Sequence, residues 1–284
     1  MSLCEPVFST VRDRPFVLVF ANEKGGTGKS TLAFHTVISL LQCGYSVGCI
    51  DADIRQSTLS RYIENRESTA LQATDRLLLP RHVRLSEELA DPAGSAVDDP
   101  EMVVRARDML AGLNDCEFVV IDTPGSANAL TRFAVANADT LISPINDSYI
   151  DIDVIAKLDM DKREVVGPSH FTRMVWEASN RRVAAGLPPT DWVVLRNRLT
   201  HISSRNKHDI ADLMDKLARR IGFRSAPGFG ERTVYREHFH AGLTVLDSGA
   251  AVGGRPPPSH AAAAAEMAGL LRQIGIGELS VQPV

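Results

Sequence analysis

Short apolar runs alternate with longer amphipathic stretches along this chain, and that alternation predicts its fold. Pro15–Ala21, Ser46–Asp51, Glu117–Asp122, Thr140–Pro144 and Trp192–Asn197 are brief runs rich in Val, Ile, Leu and Phe. Unbroken apolar runs of this length read as strands buried on both faces. Val83–Leu85 adds a shorter candidate. Helical spacing appears in Ser30–Cys43, which Gly44 closes, and in Arg55–Asn65, Ala127–Ala138, 151–162 and Phe171–Ala185. It appears again in the basic stretch Ser203–Arg220, in 228–240 and in the alanine-rich stretch His260–Ile274. Ala90–Pro100 is a loop rich in Pro, Gly and Asp. Asp99, Pro100 and Glu101 then supply an N-cap, an N1 proline and a first-turn acid for a helix to Leu113. Strands alternating with helices predict an α/β fold: a doubly wound, mostly parallel sheet flanked by helices. The expected organisation is a flexible arm over 1–14, one domain over 15–275 and a tail over 276–284.

Composition narrows the class. A chain of 284 residues that is 44% hydrophobic can bury one large core. Its net charge of −4 argues against a strongly basic nucleic-acid protein but leaves room for a local basic patch. Cys4, Cys43, Cys49 and Cys116 show no C-x-x-C pairing, which argues against zinc or iron–sulfur ligation. The last three lie in or beside apolar segments and read as buried free thiols. Residues 1–14 lack the apolar stretch of a leader, and no run approaches the length of a membrane span. A cytoplasmic protein without integral membrane association is expected. His238-Phe239-His240 could suggest metal, but two histidines at i and i+2 without a nearby cysteine read as packing or surface residues. Asp147, Asp151 and Asp153 read as a capping cluster, with contact to a partner or to the switch region as the alternative.

The chemistry centres on Asn22-Glu23-Lys24-Gly25-Gly26-Thr27-Gly28-Lys29-Ser30-Thr31. A strand, a glycine-rich turn ending in Gly-Lys-Ser and a helix form a P-loop, whose backbone N–H groups and helix N-terminus attract a polyphosphate. Glu23 stands where the ordinary pattern has glycine, so this is the variant K-G-G-x-G-K-[ST]-T with a second lysine, Lys24. Asp51, Asp53 and Asp122 end two other predicted strands. Ligand sites in such sheets gather at the carboxyl ends of strands, so these acids and the loop are expected to meet. A triphosphate brings Mg²⁺, which takes oxygen ligands. Ser30 offers a hydroxyl, Asp122 can hold a coordinating water, and an acid near the γ-phosphate can orient the attacking water.

Lys24–Thr31, Asp51-Ala-Asp53-Ile-Arg-Gln56 and Ile121-Asp122-Thr-Pro-Gly125 resemble the ParA/MinD class of deviant Walker A ATPases. The resemblance covers residues 16 to about 248. It implies a slow ATPase that uses ATP and Mg²⁺ and forms a nucleotide-sandwich homodimer. Lys24 would reach the partner's ATP, Lys29 its own β- and γ-phosphates, and Thr31 the α-phosphate. Gly25, Gly26, Thr27, Gly28 and Ser30 would complete the cradle. Asp53 would position the water, Asp51 would stand near the Mg²⁺ shell with Ser30 and Asp122, and Asn197 would recognise adenine, as an amide can.

Residues 61–66, 144–153, 191–199, 235–239 and 242–247 further resemble a branch of the class that positions the division plane. That likeness implies a monomer–dimer switch that inhibits FtsZ assembly, binds a ParB-like protein and binds DNA without sequence preference, at the nucleoid and poles. Arg205, Lys207, Lys216, Arg219, Arg220 and Arg224 crowd one predicted helix and its exit, where phosphate contacts would fit, although Asp209, Asp212 and Asp215 interrupt the charge. Two alternatives stay open. One is a ParA-type DNA or cargo partitioning ATPase. The other is an ATP-dependent biosynthetic ligase of the same fold.

Overall fold

The computed structural model describes residues 14–72, 77–85, 100–159, 164–199, 205–247 and 258–276. Residues 1–13 of the expected arm, most of the 90–100 loop and residues 277–284 of the tail lie outside them. The chain runs β1 (Phe16–Phe20), α1 (Lys29–Gln42), β2 (Val47–Asp51), α2 (Thr58–Ala70), β3 (Arg81–Arg84), α3 (Pro100–Ala111), β4 (Phe118–Asp122), α4 (Ala129–Asn137) and β5 (Thr140–Asn146). It continues through α5 (Tyr149–Ile152), β6 (Ala156–Asp159), β7 (Glu164–Pro168), α6 (His170–Ala184), β8 (Asp191–Asn197), α7 (Arg205–Leu217), β9 (Arg224–Ala226), α8 (Val234–Glu237) and α9 (Pro258–Gln273).

Seven strands form one sheet in the order β3-β2-β4-β1-β5-β8-β9. Every neighbouring pair in it is parallel. The side-chain alternation of β1 explains why it is doubly wound. Leu18 and Phe20 enter a core with α1, α2 and α9, whereas Val17, Val19 and Ala21 enter a second core with α3, α4 and α6. A strand that must be apolar on both faces reads as an unbroken apolar run. With β1 central and β4 and β5 on opposite sides, the chain reverses direction there, and the carboxyl ends of these strands open a crevice.

Three segments depart from expectation. Residues 151–159, the described part of the expected helix 151–162, do not form one: α5 is a single turn, and β6 pairs antiparallel with β7 as a separate hairpin. The β-branched pair Val165-Val166 favours a strand, and each partner is too short to announce itself through periodicity. Most of 228–240 is not helical either. Phe229 and Gly230 run beside Leu199, with Leu199 N–H donating to Phe229 O at 2.9 Å, so this stretch extends the sheet edge. The stretch Ser203–Arg220 is α-helical over Arg205–Leu217 and then loosens into a π turn over Ala218–Gly222. Cys49 and Cys116 are buried free thiols, but Cys43 is disulfide-bonded rather than free. No helix among the described residues is long and apolar enough to cross a membrane.

Candidate nucleotide-binding site

The loop between β1 and α1 is built on glycines that need left-handed backbone. Gly26 has φ +74° and Gly28, the N-cap of α1, has φ +94°. Side-chain-bearing residues avoid that region. Gly28 is doubly constrained, since a Cβ there would lie 2.3 Å from Asn197 Nδ2. A second close approach joins this loop to the segment after β4: a Cβ on Gly125 would lie 2.8 Å from Gly25 N. The Thr-Pro-Gly turn therefore lies directly against the phosphate loop.

The two loop lysines have different surroundings. Lys29 is buried, and its Nζ donates to Lys24 O at 3.0 Å. Burial lowers its pKa, opposed by the negative charges of Asp122 and Asp53. Lys24 keeps 37% of its side chain exposed and forms an ion pair with the buried carboxylate of Asp151. Its N–H donates to Asn22 Oδ1 at 2.8 Å, and Asn22 in turn donates to Pro144 O at 2.7 Å.

The sheet brings the acids together. Asp51 and Asp122 stand opposite each other at the ends of β2 and β4, and Asp122 also pairs in register with Phe20 at the loop's root. Both oxygens of Asp122 are buried without a hydrogen-bond partner. Burial first, then Asp51's charge, raises its pKa well above the carboxylate range, while Ser30 and Lys29 draw it back. Such an unpaired buried carboxylate beside a P-loop serine fits a Mg²⁺ shell. Asp51 spends its carboxylate differently: Oδ1 accepts from Asp53 N–H at 3.0 Å and Oδ2 from Ser60 N–H at 2.8 Å. It fixes the turn after β2 and the first turn of α2. Asp53 is partly exposed and lines a cavity of about 260 Å³ with Arg55, Pro124, Ser126 and Asn128, between the β2 and β4 exits.

Asn197, at the end of β8, donates from Nδ2 to Thr27 O at 2.8 Å and accepts Arg198 N–H at 2.8 Å. It thus fastens β8 to the phosphate loop. It also lines an open cleft with Gly28, Thr31, Arg198, Glu231, Tyr235 and Arg236. Tyr235 is anchored to α9 through Glu266 Oε2 at 2.7 Å.

The basic residues do not form one free face. Lys216, Arg219 and Arg220 are exposed, and Arg220 donates to Val165 O at 3.3 Å. Arg224 instead grips Asp191 with two bonds of 2.7 and 2.6 Å, because β9 lies next to β8. The side chains of Arg205 and Lys207 lie outside the described residues. Sequence reasoning also missed the Lys24–Asp151 pair. Asp151 stood out only as one of three nearby acids, and nothing in its spacing pointed to a lysine so far away in the chain.

A parallel sheet with this loop at its central crevice defines a P-loop ATPase of the ParA/MinD class. The family profile described as ATPase MipZ matches residues 16–278, and the chain belongs to that family. An uncharacterized ATP-binding protein of Methanocaldococcus jannaschii is 25% identical over 190 residues, 62% of this chain and 70% of that protein. The chromosome partitioning protein ParA of Caulobacter vibrioides is 28% identical over 162 residues, 50% of this chain and 60% of its own length. Among solved structures, an ATP complex of Cyanothece McdA superposes with a TM-score of 0.63 at 19% identity, covering 95% of this chain and all of that one (100%). The septum site-determining protein MinD of Pyrococcus horikoshii, complexed with Mg-ADP, gives 0.53 at 18% identity, covering 92% and 97%. These two likenesses establish the fold.

Proposed function

We propose that this chain is a slow, Mg²⁺-dependent ATPase that switches between monomer and ATP-bound dimer to regulate where the cell divides. The observation that carries the switch is the contrast between its lysines. Lys29 is buried in its own loop, whereas Lys24 stands partly exposed at the lip. A buried lysine suits the chain's own β- and γ-phosphates, and an exposed one suits the ATP of a second subunit. Triphosphate then favours one assembly state, as a switch requires. Gly25 to Thr31 would cradle the phosphates, with backbone N–H groups and the α1 N-terminus supplying the field. Ser30 and Asp122 would hold the Mg²⁺, which neutralises charge on the phosphates. Asp51 would act through the turn that it braces, next to Asp53. Asp53, at the mouth of the cavity facing the 124–128 turn, would orient the attacking water. Asn197 would present its remaining amide N–H to the base in the cleft that it lines.

The division-site reading rests on membership of the MipZ family together with this site. On that reading the dimer inhibits FtsZ assembly, a ParB-like protein binds the chain, and DNA binds without sequence preference. Lys216, Arg219 and Arg220 are the residues offered to DNA phosphates; Arg224 is committed to Asp191. A nucleoid- and pole-associated cytoplasmic protein follows. The ParA relatives favour a second reading, a partitioning ATPase with the same nucleotide cycle.

FtsZ polymerisation, followed by light scattering with purified chain, separates the two. Inhibition that requires ATP is expected. Unchanged FtsZ assembly alongside intact ATP-dependent dimerisation would replace the division role with partitioning. ATP consumption only in the presence of a small carboxylate substrate would instead indicate a ligase.

A further inference from the structure

Away from the crevice, α8 and α9 bring two imidazoles and a carboxylate together. Glu237 and His238 close α8, and His260 lies in the first turn of α9. One ligand atom from each falls within 4.8 Å of the other two. The His238 and His260 rings meet tilted, with centroids 5.6 Å apart. His260 is buried, and Nε2 of His238 is buried without a hydrogen-bond partner. A buried ring nitrogen left unpaired is costly unless something binds it.

The geometry points to a divalent transition-metal site of the zinc class, formed by Glu237, His238 and His260. The ligand types suit zinc: neutral imidazole nitrogens and a carboxylate oxygen, with a fourth position left to water. Tetrahedral bonds of about 2.1 Å place ligand atoms roughly 3.4 Å apart, so closure needs a rotation of the exposed Glu237 and a slight approach of the rings. Mg²⁺ prefers oxygen ligands and is not expected here. The second imidazole is His260 from another helix rather than the exposed His240, which lies outside the cluster.

Such a metal would clip α8 to α9. Tyr235, two residues before Glu237, is already tied to α9 through Glu266 and lines the cleft beside Asn197. Metal binding would therefore stiffen that cleft's wall.

The test uses the full chain without nucleotide, titrated with Zn²⁺ against a chromophoric chelator, with Co²⁺ as a spectroscopic probe. One equivalent of Zn²⁺ and visible absorption typical of tetrahedral Co²⁺ are expected. His238→Ala and His260→Gln should each weaken Zn²⁺ by more than about 100-fold, beyond the usual loss for a supporting residue. Glu237→Gln, at an exposed position that cannot disturb the core, should weaken it about 10-fold. Asp122→Asn should leave it unchanged. Three results overturn the site: no stoichiometric binding, binding that survives in all three cluster variants, or binding lost in Asp122→Asn.

Discussion

Lys24 and Asp151 form an ion pair within a single chain, joining the lip of the phosphate loop to α5. Asp151 is 1% exposed, and its other oxygen accepts Asn146 N–H at 2.9 Å, so the carboxylate is firmly placed. A lysine that is to reach a partner's phosphates must leave this position first. Asp151→Asn is therefore expected to bring on dimerisation at an ATP concentration about two- to fivefold lower, as fits a partly exposed pair worth under about 1 kcal/mol. Lys24→Ala should abolish the ATP dimer while monomer ATP binding survives. Size-exclusion chromatography with a slowly hydrolysed ATP analogue reads both. A full dimer in Lys24→Ala would refute the trans assignment.

Asp53 tests the hydrolysis step. Asp53→Ala should slow turnover by about 100-fold or more, the usual contribution of a positioned base, and leave the ATP dimer long-lived. Phosphate release and dimer lifetime are the readouts, and undiminished turnover rules the role out.

Asp122 carries its charge at a cost. Its folded pKa lies above the ordinary value because burial opposes ionisation, so at neutral pH the apo fold either holds an unpaired charge or takes up a proton. Folding therefore loses stability as pH rises above the unfolded carboxylate pKa. Asp122→Asn should stabilise the nucleotide-free protein by about 1 kcal/mol at pH 7 and abolish the extra stabilisation by Mg-ATP. Thermal melts with and without Mg-ATP decide it. A destabilised apo variant contradicts the account.

Gly28→Ala combines two costs, a Cβ at φ +94° and a contact of 2.3 Å with the Asn197 amide. A loss of more than about 1 kcal/mol and near-complete loss of ATP binding are expected. Fluorescent-nucleotide titration and urea melts measure these. An Ala variant that binds ATP normally would mean that the loop adopts another shape.

His35 makes stability pH-dependent. It is fully buried on α1, and burial depresses its pKa to about 4. The unfolded chain gains the proton near pH 6.5, whereas the folded chain resists it. Stability is thus complete above pH 6.5, falls as pH drops towards 4 and levels below that, by up to about 3 kcal/mol. Urea melts from pH 7 to 4 should show this slope, and His35→Phe should flatten it. An equal slope in both proteins assigns the effect to other groups.

The strands, the class of sheet and the phosphate loop were legible in the order of residues alone. Five apolar runs matched β1, β2, β4, β5 and β8 closely, because a strand buried on both faces cannot hide its composition. The loop was equally plain, since its glycines are demanded by backbone shape within a few residues. What the site's polar atoms are committed to depended on contacts between distant segments. Only the register of β2 on β4 sets Asp51 opposite Asp122. Only the place of β9 beside β8 commits Arg224 to Asp191. The same holds for Lys24 with Asp151, for Asn197 with Thr27, and for His238 with His260. Local backbone preference and burial are written in neighbouring residues, whereas the pairing of polar groups depends on which distant segments the sheet brings together.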